Sequence, residues 1–186
     1  MLSEPFEQFK IWFVEVSEAM TLATVDESGM PDARIVLLKE VTEDAFVFFT
    51  NYQSAKAQQL QNMPYAACVF WWPKLERQVR IRGPVSKISP EQSDAYFQTR
   101  PRGSQIGALV SKQSQELKNR AELEIAWLEI EKKYNNQLIP RPDYWGGYCL
   151  KPVHFEFWQG RENRLHDRVA YNLSPQGIWE QKLLAP

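Results

Sequence analysis

The sequence is poor in the residues that metal and redox chemistry use. Its 186 residues include two cysteines and two histidines. Cys68 and Cys149 sit in apolar surroundings, and no cluster has metal-ligand spacing, so neither a zinc site nor a disulfide framework is expected. There is no HExxH, no Gly-rich loop of the nucleotide-binding kinds and no nucleophile elbow. No apolar run approaches the roughly eighteen residues a membrane helix needs, and no basic–apolar leader opens the chain. A cytoplasmic protein without membrane contact is expected. The formal net charge of -1 offers no broad field for nucleic acid, so any anion site must be local.

Aromatic residues are plentiful, with seven Trp and ten Phe. They suit a barrel core, an oligomer interface or a flat aromatic ligand. The length suffices for one domain with a sizeable core. Ser3 and Pro5 open a helical pattern in which Phe6, Phe9, Phe13 and Val16 share a face. "TLATVD", "DARIVLLKEV" and "AFVFFT" read as strands. "SAKAQQLQNM" reads as a short helix capped by Ser54, followed by the strands "YAACVFWWP" and "ERQVRIRGPVSKI". Ser89, Pro90 and Gln92 then mark a helix start, and a long charged helix follows from Ser114. After the rigid link "PRPDYWGG", "HFEFW", "RLHDRVAY" and "GIWEQKLL" return to strand character. Strands follow strands without long helices between them, which predicts an antiparallel barrel, mainly β with helical additions. A single domain over 1–186 is expected, with a helical insertion around 89–135.

Cations and hydroxyls recur at element faces and ends. Arg34 and Lys39 bracket an apolar strand but differ in parity, so they can share one ligand only where the strand bends or ends between them. Thr50, Ser54 and Lys56 surround a helix start, where free N–H groups favour phosphate; such caps are also common without a ligand. Gln78, Arg80 and Arg82 share one strand face, either a solvated row or one whose amide reads a heteroaromatic edge. Tyr96 and Arg100 are helix neighbours, with Ser104 in the turn beyond Pro101, a possible phosphate clamp or a plain helix end. Trp158 sits oddly on the polar face of His154 and Glu156, suited to stacking or to an interface. Arg164, His166 and Arg168 fall on one face if the segment is a strand, opposite Leu165 and Val169. These groups exceed what one small phosphate needs. Two phosphorylated ligands, a cofactor and a substrate, would use them better.

The runs "RIVLLK", "FTNYQSAKA", "LERQV", "RPRGSQIGALVSKQS", "FWQG" and "RLHDR", with "LAP" at the end, span nearly the whole chain in order. In them the sequence resembles the pyridoxine (pyridoxamine) 5'-phosphate oxidase family. The resemblance implies an FMN-dependent homodimer with a split β-barrel fold. It implies oxidation of pyridoxine or pyridoxamine 5'-phosphate to pyridoxal 5'-phosphate, with O2 as acceptor and hydrogen peroxide as product. It assigns Arg34 and Lys56 to the FMN phosphate, with Gln113 and Ser114 in support. Ile35, Val36, Leu37, Leu38, Phe49 and Thr50 match the stretch around the flavin, and Lys39 borders it. Gln78 matches a flavin-ring contact, and Trp158 and Arg168 match further cofactor positions. Lys39, Tyr96, Arg100 and Ser104 match the substrate phosphate clamp, and Arg164 and His166 match the catalytic residues over the substrate ring. Ala55 stands where the family usually has an arginine, Phe49 where it has a tyrosine, and the family's longer N-terminal extension is largely absent. Two other readings remain: a flavin oxidase or reductase for another ring substrate, and a non-catalytic FMN- or pyridoxal-phosphate-binding protein.

Overall fold

The fold is organised around α1 (Glu4–Trp12), which lies against a curled antiparallel sheet of ten strands in a computed structural model that describes residues 4–186. Along the chain come β1 (Ala19–Val25), β2 (Pro31–Leu37), β3 (Glu40–Val41), β4 (Phe46–Asn51) and α2 (Ala55–Asn62). Then come β5 (Tyr65–Trp72), β6 (Arg77–Lys87) and the helices α3 (Pro90–Thr99), α4 (Arg102–Val110) and α5 (Arg120–Lys133). The last strands are β7 (Trp145–Leu150), β8 (His154–Gln159), β9 (Asp167–Leu173) and β10 (Trp179–Leu183). The main path runs β10-β9-β8-β6-β5-β1-β2, so the late strands complete the sheet begun early.

β6 splits the barrel. Its first half, Arg77–Arg82, pairs with β8, and its end, Val85–Lys87, pairs with β7. Gly83 and Pro84 stand at the changeover, and a Cβ on Gly83 would lie 1.9 Å from the Lys151 carbonyl oxygen. A side chain there would force the two half-sheets apart. β4 extends the second half-sheet through β7.

The alternating burial of β1, β5 and β6 turns Leu22, Cys68, Phe70, Val79 and Ile81 into the core. Phe9 of α1 packs against Phe46 at 4.8 Å and Phe70 at 5.1 Å, and Phe6 against Phe155 at 5.3 Å. Burying each such ring contributes on the order of 1.5–3 kcal/mol. α1 stops at Trp12, short of the periodic pattern, because Glu15 turns left-handed at φ 56°. Phe13 and Val16 still pack on the core from outside the helix. Ser3 lies outside the described residues. No described helix is long and apolar enough to cross a membrane.

Three further expectations need correction. "RGSQIGALV" forms α4 rather than a turn, because Pro101 before it sits at the N-cap, where a missing N–H costs nothing. α5 begins at Arg120, capped by Asn119, and Ser114 takes a left-handed φ of 69° in the loop before it. "RLHDRVAY" is strand only from Asp167. The β8–β9 register closes at Gln159↔Asp167, so residues 160–166 form the connecting loop, and Asn163 and Arg164 turn left-handed at φ 55° and 60°. Arg164 and His166 therefore do not share a strand face with Arg168.

Candidate active site

A cavity of about 800 Å³ opens where β2, β4, α3 and α4 meet. It falls within the roughly 300–1,000 Å³ of small-molecule sites. Arg34, Ile35, Val36, Leu37, Lys39, Phe49, Thr50, Lys56, Tyr96, Arg100, Ser104, Gln113 and Ser114 all line it. The parity conflict between Arg34 and Lys39 disappears because β2 ends at Leu37. The Lys39 N–H then bonds the Val47 carbonyl at 2.8 Å, which carries the chain onto β4. Leu38 departs from its neighbours: its side chain is buried in the core. β2 pairs with β1 on one side only, so its other edge brings unpaired backbone groups to the cavity.

Lys56 is buried at 7 % exposure on the first turn of α2. Its Nζ donates to Thr50 Oγ1 at 3.1 Å, Ser54 Oγ at 3.2 Å and Gln113 Oε1 at 3.4 Å, all neutral acceptors. Burial, then the Arg34 charge, lowers its pKa from the usual lysine value, while Asp32 pulls the other way. Ser54 is the N-cap by position, but its hydroxyl bonds the Asn51 carbonyl at 2.7 Å instead of capping the helix. The expected side-chain cap is therefore not made, and α2 keeps its N-terminal N–H groups free of it. Arg34 is held by the Leu22 carbonyl at 3.0 Å and Thr24 Oγ1 at 2.6 Å, and it pairs with Asp32.

A second cationic position is built on α3. The Ser89–Gln92 capping box and Pro90 start this helix, which ends at Thr99; Tyr96 lies in its last turn and Arg100 is its C-cap with extended backbone, and both line the cavity. α3 packs against β7 where Gly146 leaves room, since a Cβ there would meet Tyr52 Oη at 2.2 Å and Ser93 Oγ at 3.0 Å. Phe49 stacks on Tyr96 at 3.8 Å and on Trp145 at 5.4 Å. The Arg100 guanidinium lies 4.3 Å from the Trp145 ring centroid. Its Nη1 is buried without a hydrogen-bond partner, and burial lowers its pKa. An unpartnered buried cationic donor is costly unless an anion completes it. Lys39 is already engaged, donating to both Glu18 carboxylate oxygens at 2.8 and 2.9 Å.

Gln78, Trp158, Arg164, His166 and Arg168 lie apart from this cavity. Gln78, Trp158 and Arg168 form one row across β6, β8 and β9, continued by Trp71 on β5. Trp158 meets Trp71 at 5.9 Å and His166 at 4.5 Å. His166 Nδ1 accepts the Arg161 backbone N–H at 3.2 Å, which puts the proton of the neutral ring on Nε2. His166 and Arg168 line a separate cavity of about 530 Å³ with Arg77 and Arg161.

Sequence reading missed Trp145, Asp32, Asn51, Gly107, Ala108 and Ser111 as lining residues and Glu18 as the partner of Lys39. A lone tryptophan before two glycines was the available signal for Trp145. Nothing in the local pattern linked Glu18 to Lys39.

The split sheet and its cation-lined cavity define a barrel of the FMN-binding type. A sequence model described as "Pyridoxamine 5'-phosphate oxidase" matches residues 12–134, and one described as "Pyridoxine 5'-phosphate oxidase C-terminal dimerisation region" matches residues 145–186. The chain belongs to the pyridoxamine 5'-phosphate oxidase family. It is 54% identical over 189 residues to the pyridoxine/pyridoxamine 5'-phosphate oxidase of Synechocystis sp., covering 98% of this chain and 88% of that one. The Legionella pneumophila (strain Paris) protein of the same name is 51% identical, with 99% and 88% covered. Among solved structures, PhzG from Burkholderia lata 383 in complex with tetrahydrophenazine-1-carboxylic acid superposes with a TM-score of 0.94 at 26% identity, covering 99% and 93%. An FMN-binding protein from Nostoc punctiforme shares the fold with a TM-score of 0.75 at 20% identity, covering 98% and 94%.

Proposed function

We infer that this chain is an FMN-dependent oxidase that converts pyridoxine or pyridoxamine 5'-phosphate to pyridoxal 5'-phosphate, with O2 as acceptor and hydrogen peroxide as product. The observation that carries this reading is one cavity with two cations lacking a carboxylate partner, the buried Lys56 and the half-buried Arg100, whose Nη1 is buried without a hydrogen-bond partner. They suit two phosphates, one on the cofactor and one on the substrate. The names of the relatives supply the identity of the substrate. FMN, when bound, supplies the two-electron chemistry and passes the electrons to O2.

The chain's own residues bind, orient and hold protons. Lys56 and Arg34 hold the FMN phosphate with Thr50, Gln113 and Ser114, and the free edge of β2 at Ile35, Val36 and Leu37 meets the cofactor's polar groups. Ala55 removes one cation from this rim, and the Lys56 cluster carries the phosphate without it. Arg100, Tyr96 and Ser104 hold the substrate phosphate, and Lys39 joins them when the phosphate displaces Glu18. Phe49, lacking a hydroxyl, contributes a ring face to the stack with Tyr96 and Trp145. Gln78, Trp158, Arg164, His166 and Arg168 of the partner subunit complete the site in a homodimer. Four of those five fall within the matched dimerisation region, which supports the exchange. Arg164 stabilises negative charge on the substrate ring, and His166 presents Nε2–H to it. The whole chain works as one split-barrel domain, with the helical insertion supplying the substrate phosphate clamp. We place the reaction in the cytoplasm, where two unpaired cysteines are compatible with a reducing milieu.

The likeness to PhzG favours a second reading, oxidation of a different ring substrate. Anaerobic mixing of FMN-loaded protein with each B6 phosphate, followed by air, separates the two. Flavin bleaching by either phosphate and recovery with peroxide in air supports the oxidase. No bleaching by either phosphate overturns it, and bleaching by a tetrahydrophenazine alone selects the second reading. In the same assay R164A and H166A should lower turnover more than flavin content; equal losses of both would remove their catalytic roles.

A further inference from the structure

A buried carboxylate lies on the same sheet face as the Trp158 row. Glu156 is 4 % exposed, on the face of β8 that also carries His154 and Trp158. Its Oε1 accepts from Arg168 Nε at 3.3 Å and Nη2 at 3.1 Å, and its Oε2 accepts from Arg80 Nη1 at 3.1 Å. Arg168 is anchored a second time, its Nη1 donating to the Ala185 carbonyl at 2.8 Å. The Leu184 N–H returns a bond to the Arg168 carbonyl at 3.0 Å, which pins the chain end to β9. A guanidinium has five N–H donors in one plane. Three are engaged here, so the plane is set and one donor on each Nη remains for another acceptor.

A buried carboxylate is expensive unless paired, and its charge is matched here by two arginines at once. The three groups carry a net positive charge beside the Trp158 row. A carboxylate needed only to neutralise one half-buried arginine would not require a second arginine or a backbone anchor on the first. The arrangement resembles the outer support that sets the orientation of a metal-binding side chain, applied here to a guanidinium.

We propose that Glu156 is a positioning residue for the cofactor: together with the Ala185 carbonyl it fixes the guanidinium plane of Arg168, leaving that residue's two remaining donors for the flavin. This rests on the reading above that Arg168 serves FMN. Loss of orientation at one charge-assisted contact corresponds to a roughly ten- to hundredfold weaker complex.

The test is titration of the apoprotein with FMN, followed by flavin fluorescence, for E156Q, R168Q and the double variant. E156Q keeps the shape and removes the charge. E156D keeps the charge and shortens the reach, and it serves if E156Q does not fold. E156Q should raise the FMN Kd about ten- to hundredfold. In the R168Q background it should add little, because the two act through one contact. E156D should fall between wild type and E156Q. Full additivity of E156Q and R168Q would overturn the positioning role, as would a wild-type Kd for E156Q or, where E156Q does not fold, for E156D. A wild-type Kd for R168Q would instead remove the assignment of Arg168 to FMN, which separates the two failures.

Discussion

Replacing Arg100 with methionine should weaken substrate recognition without weakening the fold. Nη1 of Arg100 is buried without a partner, and the guanidinium lies over Trp145 at 4.3 Å. Leaving a buried donor unsatisfied costs about 1–3 kcal/mol, and a cation–π contact returns about 0.5–2 kcal/mol. Methionine removes both and keeps an apolar chain against the ring, so the net change in the apoprotein runs from about 1 kcal/mol lost to about 2.5 kcal/mol gained, centred just under 1 kcal/mol of added stability. For a chain of this size each 1 kcal/mol moves Tm by about 2–4 °C. At that central value the apoprotein Tm should hold or rise by a few degrees. Substrate binding should change in the opposite sense. One charge-assisted bond to phosphate is worth about 1.5–3 kcal/mol, so KM for pyridoxamine 5'-phosphate should rise about tenfold to a hundredfold. Unphosphorylated pyridoxamine has no such bond to lose, and its kcat/KM should stay as it was. The assays are thermal melts of the apoprotein and peroxide-coupled kinetics with both amines. A lower Tm with an unchanged KM would mean that Arg100 is structural and the clamp is wrongly placed. Equal losses with both amines would refute a phosphate-specific role.

Lys56→Met should raise the FMN Kd by about tenfold to a hundredfold, measured by flavin fluorescence. Lys56 has its pKa lowered from 10.5 in the free protein, and a bound dianion raises it again. Below the free-state value the ammonium is charged in both states and affinity is full. Affinity is then lost as pH rises through that lowered value, earlier than for an ordinary lysine, and K56M should flatten this alkaline limb. Apoprotein stability moves the other way: a lysine less basic in the folded state favours folding more as pH rises from its folded value to 10.5, and alkaline melts of wild type against K56M read that sign. Gly146→Ala places a Cβ 2.2 Å from Tyr52 Oη. Overpacking of this kind costs about 1–3 kcal/mol. The variant should melt several degrees lower and also lose substrate affinity, because α3 carries Tyr96 and Arg100; a wild-type melt and KM would mean that α3 tolerates a shift there.

Some of this molecule was written locally. The capping box at Ser89 and the alternation along β6 follow from short-range geometry and were legible, whereas Arg100, read as a helix neighbour of Tyr96, is the extended C-cap of α3. α4 was hidden because "RPRG" reads as a turn until Pro101 is seen to occupy an N-cap. The loop at 160–166 was hidden for a different reason. "RLHDR" alternates like a strand, but whether it pairs depends on where β8 ends, which no residue within the segment encodes.

By itself, the sequence determined most of the element order apart from α4 and the 160–166 loop, the antiparallel character of the sheet and the identity of the cationic groups, because these depend on neighbours within a few residues. Only the tertiary structure decided which cations stand without a carboxylate. Lys56 and Arg100 do, whereas Lys39 meets Glu18 from 21 positions away and Arg168 is held by Glu156 across a strand pair. The charge an arginine or lysine can offer a ligand depends on what else reaches it through space, and that is set by strand register and helix packing.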